Sequence, residues 1–526
     1  MIEKIKMKNY KKFIEEEIIF NSGRNIFVGE NGVGKSSILQ AISYVLSGSY
    51  SKIESIGLPN LLNIDIIDDF MTSKKKYDDL PILEIELYIC EDIKNFSING
   101  KHNSERKECN GLRMIAAPDD EYSSQIIEAL KSTFVFPFEY YKLDFQTFSG
   151  KSYNSMSRYN DFIRFSMLDT SKVNSKNALK DYVHRIYESQ SDTEKRKIIN
   201  NAYRNKTAEF SSLLYSDFDL LASDDGYTVA LDINHENTFA DNITIKKEGI
   251  DITNMGQGEK VFINADFAMT KAPDDVNIVL IEEPENHLSF LSMHRLVDKI
   301  IDEKEKQTFI ATHSNMIAAR LNLNNVIFIS ENGCAKLNEL KLGYAKFFEK
   351  SPDNSVLNFI LSEKSILVEG SAEYIVLEGF YKHVIGNSMH KDNIALISCG
   401  GKTFKNYLSL AKLLNKKTVV ITDNDGDYES NVVDNYSGFE SDKIKVFAEL
   451  YNDLSTFEIA LYKNNEEFYE KYIATDKMVN GIQHYMLNNK AEASLRLLLK
   501  LDKKPELFND FKVPSYIEDA IKWINE

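Results

Sequence analysis

Apolar and polar residues alternate along IEKIKMKNY (2–10) and again along EEEIIFN (15–21), the pattern of a two-stranded hairpin. NIFVGENGVGKSSILQAISYVL (25–46) then reads as a buried strand, a glycine-rich loop and a helix. Alternation returns in ILEIELYI (82–89) and EYYKLDF (139–145), predicting further strands. Residues 155–220 change period. ALKDYVHRIYES places Leu179, Tyr182, Val183, Ile186 and Tyr187 on one helical face, and SDTE (191–194) is a capping-box pattern, so a helical insertion is expected here. Strand and helix patterns alternate from about 227 to 345, where VNIVLIEEPE and QTFIATHS are apolar runs ending in polar groups. A fresh α/β series starts at 362 with KSILVEG, NIALISCGG and KKTVVITDND. The expected division is therefore one domain over 1–345 and a second over 362–526, with the boundary in AKFFEKSPDNSVLNFI.

Composition narrows the class. The 526 residues are 43% hydrophobic and 27% charged, as in soluble globular proteins. No window nears the roughly 18 apolar residues of a membrane span. The N-terminal MIEKIKMKNYKKF has no apolar core, so no secretory signal is expected. Four scattered cysteines (Cys90, Cys109, Cys334, Cys399) form no CxxC pair, which argues against a zinc ribbon and for a reducing cytoplasm. The net charge of −17 excludes a generally basic nucleic-acid coat, so any nucleic acid must be held by local patches or through metal. One such patch lies in the insertion: residues 171–206 carry nine Lys/Arg against four Asp/Glu, a net of +5. Its apolar face favours a dimerisation element.

Gly29-Glu30-Asn31-Gly32-Val33-Gly34-Lys35-Ser36 fits G-x-x-x-x-G-K-[ST] in its required context of strand and helix. Backbone N–H groups of Asn31 through Ser37 would curl around phosphates at a helix N-terminus. Lys35 would neutralise the β and γ oxygens, and Ser36 would ligate Mg²⁺. Glu282 and Glu283 end a buried strand, Glu282 to hold Mg²⁺ through water and Glu283 to polarise the attacking water. His313 ends another strand, suited to sensing the γ-phosphate. Gly256, Gln257 and Gly258 form a glycine-rich turn before a helix.

This set resembles the ABC-type ATPase heads of the SMC, Rad50 and RecF families, in which the segment matching NMGQG contacts ATP across a dimer interface. The resemblance implies a dimer sandwiching ATP. The Asp-Glu usual in Walker B is Glu-Glu here, and Gln146 is the candidate for the Q-loop.

The second domain carries acids at its strand ends. Glu369 and Glu373 follow ILV, and Asp423 and Asp425 follow VVIT, two apart on one side of an extended segment. In parallel sheets such ends share one edge. Four carboxylates there would repel each other unless divalent cations neutralise them, and oxygen-only ligands select Mg²⁺ or Mn²⁺. VEG-x-x-E, SCGGK and DxD in this order resemble the Toprim domain of topoisomerases, primases and OLD (overcoming lysogenization defect) nucleases. An ABC-type ATPase domain with a helical insertion, followed by a Rossmann-like α/β Toprim domain, is the layout of the OLD family.

The resemblance implies that Glu369, Glu373, Asp423 and Asp425 bind two metal ions, with a third ion at ATP. It adds Glu458 in TFEIALY as a further ligand and Lys490 as a stabiliser of charge on the scissile phosphate. It implies an ATP-regulated, metal-dependent DNA endonuclease or nickase, in anti-phage defence, acting alone or with a helicase or a retron reverse transcriptase and its DNA. The competing reading is an ATPase-driven DNA clamp or sensor whose acidic site is structural. A primase or topoisomerase is disfavoured, because residues 362–526 leave no room for a zinc module or a tyrosine cleavage domain.

Overall fold

A computed structural model describes residues 1–91, 96–132, 135–155, 163–170, 191–216, 239–266, 276–330, 333–337, 355–400, 403–475 and 480–526, with the isolated positions 183–184, 187, 344, 346–348 and 478. The chain forms two compact units. One comprises Met1–His313 with Ile329–Cys334, and the other Ser314–Phe328 with Ala335–Glu526.

In the first unit β1 (Ile2–Tyr10) and β2 (Phe13–Ile19) form the expected antiparallel hairpin. β3 (Arg24–Val28) leads into α1 (Lys35–Ser47). β4 (Leu83–Ile89), β5 (Cys109–Pro118) and β6 (Tyr141–Thr147) extend the hairpin into an antiparallel sheet in the order β2-β1-β4-β5-β6. There follow β7 (Arg164–Asp169), α2 (Thr193–Ser216), α3 (Gln257–Asp266), β8 (Val276–Glu282), α4 (Phe290–Asp302) and β9 (Gln307–Ala311).

β3, β9, β8 and β7 lie side by side and parallel. α1 packs on strands of both sheets. That position explains why Ile38, Leu39, Ala41, Ile42, Val45 and Leu46 are all buried, and why the helix is apolar on nearly every face.

The structure differs from the helical reading of 155–220 at one point. Arg164–Asp169 is a strand, paired in parallel with β8 from Arg164–Val276 to Asp169–Glu282. Leu168 and Ser166 are buried there, because a six-residue segment with Phe165, Met167 and Leu168 beside a buried strand gains more from pairing than from helical periodicity. α2 supplies the helix after SDTE. Leu179, Tyr182 and Ile186 lie outside the described residues, as does most of the basic stretch before 191. Among the described residues no helix is long and apolar enough to cross a membrane.

The second unit is built on β10 (Lys364–Val368), α5 (Ser371–Ile385), β11 (Ile394–Ser398), α6 (Phe404–Leu413), β12 (Lys417–Ile421) and β13 (Ile444–Phe447). Its further helices include α7 (Phe457–Lys463), α8 (Lys490–Lys503) and α9 (Ser515–Asn525). The four strands are parallel in the order β11-β10-β12-β13. The chain leaves β10 toward one edge and returns to its other side as β12. The C-terminal ends of β10 and β12 therefore flank a topological switch point, where α/β sheets open a crevice.

α5 packs against α8 and α9, and the core between them joins Phe380, Tyr381, Leu497, Ile517 and Ile521 to Ile366 and Val419 of the sheet. Leu497 is fully buried there. Leu497→Ala is expected to destabilise this unit by about 2–5 kcal/mol, the usual range for a buried Leu→Ala change. A denaturation midpoint unchanged from the wild type would contradict that packing.

Candidate functional sites

The glycine-rich loop closes onto the start of α1. Gly34, its N-cap, sits at φ 109°, and a Cβ there would come within 2.6 Å of the Phe13 ring. Only glycine fits both the conformation and the hairpin leaning on the loop. Lys35 is buried, and its Nζ donates to the carbonyls of Gly29 (2.9 Å) and Glu30 (2.7 Å). Burial pushes its ammonium down to about 8, against the pull of Glu283, Glu285 and Glu30. An anion in the loop would be welcome to such a cation. Lys12, in the hairpin turn, adds a second positive group by donating to Gly32 O (3.1 Å). Sequence reasoning missed Lys12 because only the hairpin brings it to the loop.

Glu282 ends β8, and Glu283 follows at φ 46°, a left-handed conformation that costs a non-glycine residue about 1–2 kcal/mol. Three contacts hold it there. Its N–H donates to Ala311 O (2.8 Å). Thr170, just past β7, gives its hydroxyl to Glu282 O (3.1 Å) and Glu283 O (2.8 Å). The Asn286 amide donates to Glu283 Oε2 (2.7 Å).

His313 Nε2 lies 3.9 Å from Glu283 Oε1. Burial and the neighbouring Lys35 push the His313 imidazole down, favouring its neutral form. Glu285 was not anticipated. Its carboxylate accepts the Thr312 hydroxyl on both oxygens (2.9 Å each) and the His313 N–H (2.5 Å). It thus ties the turn after β8 to the turn that carries His313.

Gly256, Gln257 and Gly258 open α3. A Cβ on Gly258 would meet His287 O at 2.3 Å, so this turn lies directly on the segment after Glu283. Gln146, on β6, accepts the Arg113 guanidinium through Oε1 (2.6 Å), within the antiparallel sheet.

In the second unit Glu369 leaves β10 at the switch point. α5 starts at Ser371, so Glu373 falls in its first turn and accepts the Gly370 N–H (3.2 Å). Burial, then Glu458 and Glu369, push the Glu373 carboxyl up. Asp423 follows β12 and accepts the Phe457 N–H at the start of α7 (2.7 Å), next to Glu458. Burial, then Glu373 and Glu369, push the Asp423 carboxyl up to about 7. Glu458 is 2% exposed, and Lys490, first residue of α8, places its ammonium 3.1 Å from Glu458 Oε2.

Four acids and one lysine therefore share one electrostatic neighbourhood. Three buried tyrosines line it: charge from Glu369 reaches Tyr436, charge from Glu458 reaches Tyr469, and Asp423, Glu373, Glu449 and Glu458 all act on Tyr516. These were invisible to motif reading, since they come from three separate later segments.

Asp425 departs from the extended segment expected of it. The strand ends at Ile421, and Asp425 is exposed at φ 50°, its N–H donating to Ser455 O (3.0 Å). A turn begins here because Asn424 folds its side chain inward, and Asp tolerates the left-handed region better than most residues. Among the described residues no three His, Cys, Asp or Glu side chains already stand at metal-liganding distance. The donors nevertheless suit a hard divalent cation. Glu369 Oε2 is buried without a hydrogen-bond partner, and the acids facing it are oxygen-only.

Residues 360–425 match the family described as overcoming lysogenization defect protein-like, Toprim domain. Residues 1–172 match an AAA ATPase domain, and residues 134–319 match an AAA domain described as a putative AbiEii toxin of a type IV toxin–antitoxin system. The DNA replication and repair protein RecF of Clostridium kluyveri is 25% identical over 225 residues, 41% of this chain and 58% of that protein. The DNA double-strand break repair Rad50 ATPase of Thermoplasma acidophilum is 46% identical over 48 residues, 9% of this chain and 5% of that one. The chain thus spans little more than half of the first relative and a small part of the second. Among solved structures, the C-terminal region of the Burkholderia pseudomallei OLD protein aligns over 31% of this chain and 97% of its own, at 19% identity and a TM-score of 0.22. An Smc head bound to the C-terminal winged-helix domain of ScpA aligns over 64% and 99%, at 18% identity and a TM-score of 0.31.

Proposed function

Starting from a chain that joins an ATPase domain to an OLD-like Toprim domain, we propose that it is an ATP-regulated, divalent-metal-dependent DNA nuclease that cuts or nicks the duplex internally. The observation that carries the reading is the meeting of Glu369, Glu373, Asp423 and Glu458 at one switch point, with a buried oxygen of Glu369 left unpartnered. Such acids would hold Mg²⁺ or Mn²⁺, one ion or a pair, and bound metal supplies an activated water and charge neutralisation for phosphodiester hydrolysis. Asp423, Glu369 and Glu373 would bind and orient the ions, with Asp425 reaching in from its turn. Lys490 would release Glu458 and meet the anionic phosphate.

In the other unit Lys35 and the loop would bind the triphosphate. Ser36 and Glu282 would hold its Mg²⁺, Glu283 would orient water, and His313 would report on the γ-phosphate. Two copies would sandwich ATP through Gly256–Gly258, and the naming of the RecF and Rad50 relatives as DNA repair proteins supports action on DNA. A defence role against phage is the setting we propose. The relatives found give no support to a helicase or reverse-transcriptase partner.

A DNA clamp without cleavage is favoured by one observation, the exposed, left-handed turn in which Asp425 sits. Plasmid DNA incubated with Mg²⁺ or Mn²⁺, with and without ATP, separates the readings. Nicked or linear product is expected. Intact plasmid beside normal ATP hydrolysis would leave the clamp.

A positioning role follows for Glu285. Glu285→Ala is expected to lower kcat for ATP hydrolysis about 10- to 100-fold, the range seen when an orienting partner is lost, while KM for ATP changes little. Glu285→Gln keeps one acceptor oxygen and should recover most of the rate. A KM effect of the same size as the kcat effect would refute it.

A further inference from the structure

The turn carrying Asp423 and Asp425 is hydrogen-bonded to a second loop, Ala448–Thr456. Asn424, between the two acids and 1% exposed, donates its amide to Glu449 O (2.7 Å) and Tyr451 O (2.9 Å). Its Oδ1 accepts the Gly426 N–H (2.8 Å). Asp425 N–H donates to Ser455 O (3.0 Å), and Tyr428 N–H to Asn452 Oδ1 (3.0 Å). Leu454 N–H closes the loop onto Tyr451 O (3.0 Å).

This braced loop holds Leu450 and Tyr451 out in water, 66% and 68% exposed. A flexible loop would fold such side chains inward. Here the backbone bonds prevent it, so the exposure is built in, and little conformational entropy remains to be lost on binding. Two side chains cover far less than the roughly 800 Å² per partner of a stable protein interface. Glu449 is buried with its carboxylate on the Leu450 N–H, while the exposed Asp453 and Asp427 disfavour an anionic lipid headgroup and leave the uncharged face of a nucleobase as the part of a strand that fits against them.

We infer that Leu450 and Tyr451 form a stacking wedge for an unpaired nucleobase beside the carboxylate site. The inference rests on the nuclease reading and adds to it a preference for single-stranded or frayed DNA. Stacking on an aromatic ring is sequence-tolerant and strong enough to shift affinity by about 10- to 100-fold per base. The same bonds that brace the loop fix the distance from the stacked base to Asp423, so the wedge also sets where the strand is cut.

The test uses the full chain carrying Asp423→Asn, so that bound DNA stays intact, and a single-stranded oligonucleotide containing 2-aminopurine, titrated in Mg²⁺ at several salt concentrations. Adding Tyr451→Ala should weaken binding about 10- to 100-fold and remove the fluorescence quench on binding. The dependence of affinity on salt should stay unchanged, because no phosphate contact is lost. Tyr451→Phe keeps the ring and should bind as the parent does.

Tyr451→Ala binding as tightly as the parent would overturn the wedge. So would Tyr451→Ala turning an oligomer into a monomer by light scattering, which would assign the loop to a second copy of the chain. Plasmid left uncut by the wild type would instead overturn the nuclease reading, independently of this titration.

Discussion

Asp423→Asn protein will bind DNA as the wild type does and cleave it about 10³-fold more slowly, or not measurably. The size follows from the several kcal/mol of charge stabilisation that a bound metal supplies, at about 1.4 kcal/mol per factor of ten. The amide keeps the volume and can still accept the Phe457 N–H at the head of α7. Loss of activity would therefore report on charge and not on a disturbed helix. Cleavage within threefold of the wild type would refute the metal site.

The same carboxyl gives a second readout that needs no DNA. In the metal-free protein it is raised from an ordinary 3.8 to about 7 by burial, then by Glu373 and Glu369. A raised folded value means that the folded state holds the proton where the unfolded state has lost it. The stability this group contributes is full below its unfolded value and is lost as pH rises through about 7. Mg²⁺ replaces that proton and need not displace it at high pH. The rise in melting temperature on adding Mg²⁺ should therefore be larger at pH 8 than at pH 5.5. Equal rises would show that Asp423 does not meet the ion.

Glu283→Gln will bind ATP with nearly unchanged affinity and hydrolyse it about 10²- to 10⁴-fold more slowly, the usual contribution of a positioned general base. Its carboxylate is held by Asn286 and faces His313, whereas Lys35 makes its contacts within the phosphate loop. Lys35→Ala should accordingly fail at binding. Pairing each variant with the plasmid assay separates the role of bound ATP from that of hydrolysed ATP. Cleavage lost only in Lys35→Ala would mean that occupancy suffices. If Glu283→Gln hydrolysed ATP at the wild-type rate, the role assigned to Glu283 would fall.

Much of this was legible in the sequence where the chemistry is local. The phosphate loop needs its glycines and lysine within eight consecutive positions, and parallel strands write themselves as apolar runs with the candidate residue at their end or one or two positions past it. Glu282, His313, Glu369 and Asp423 could be picked out by that rule. What the sequence hid is what depends on distant segments arriving together. Lys12 reaches the phosphate loop only through a hairpin, Glu285 meets Thr312 only because β8 and β9 are neighbours, and Tyr516 reaches the acids from the C-terminal helix. β7 was hidden for a different reason: six residues with only three apolar side chains have no period long enough to declare themselves. Asp425 turned out of line because the side chain of Asn424, not the alternation of the strand, governs the turn.

The left-handed backbone at Glu283 has a consequence for anyone trying to make this protein more robust. Asparagine or glycine would sit at φ 46° with less strain, so replacing Glu283 by either should raise the melting temperature while removing the carboxylate proposed to orient water. A selection for heat resistance alone would thus be drawn to this position and would enrich inactive proteins. Stability and turnover pull in opposite directions at this residue, and a screen must score both to find variants worth keeping.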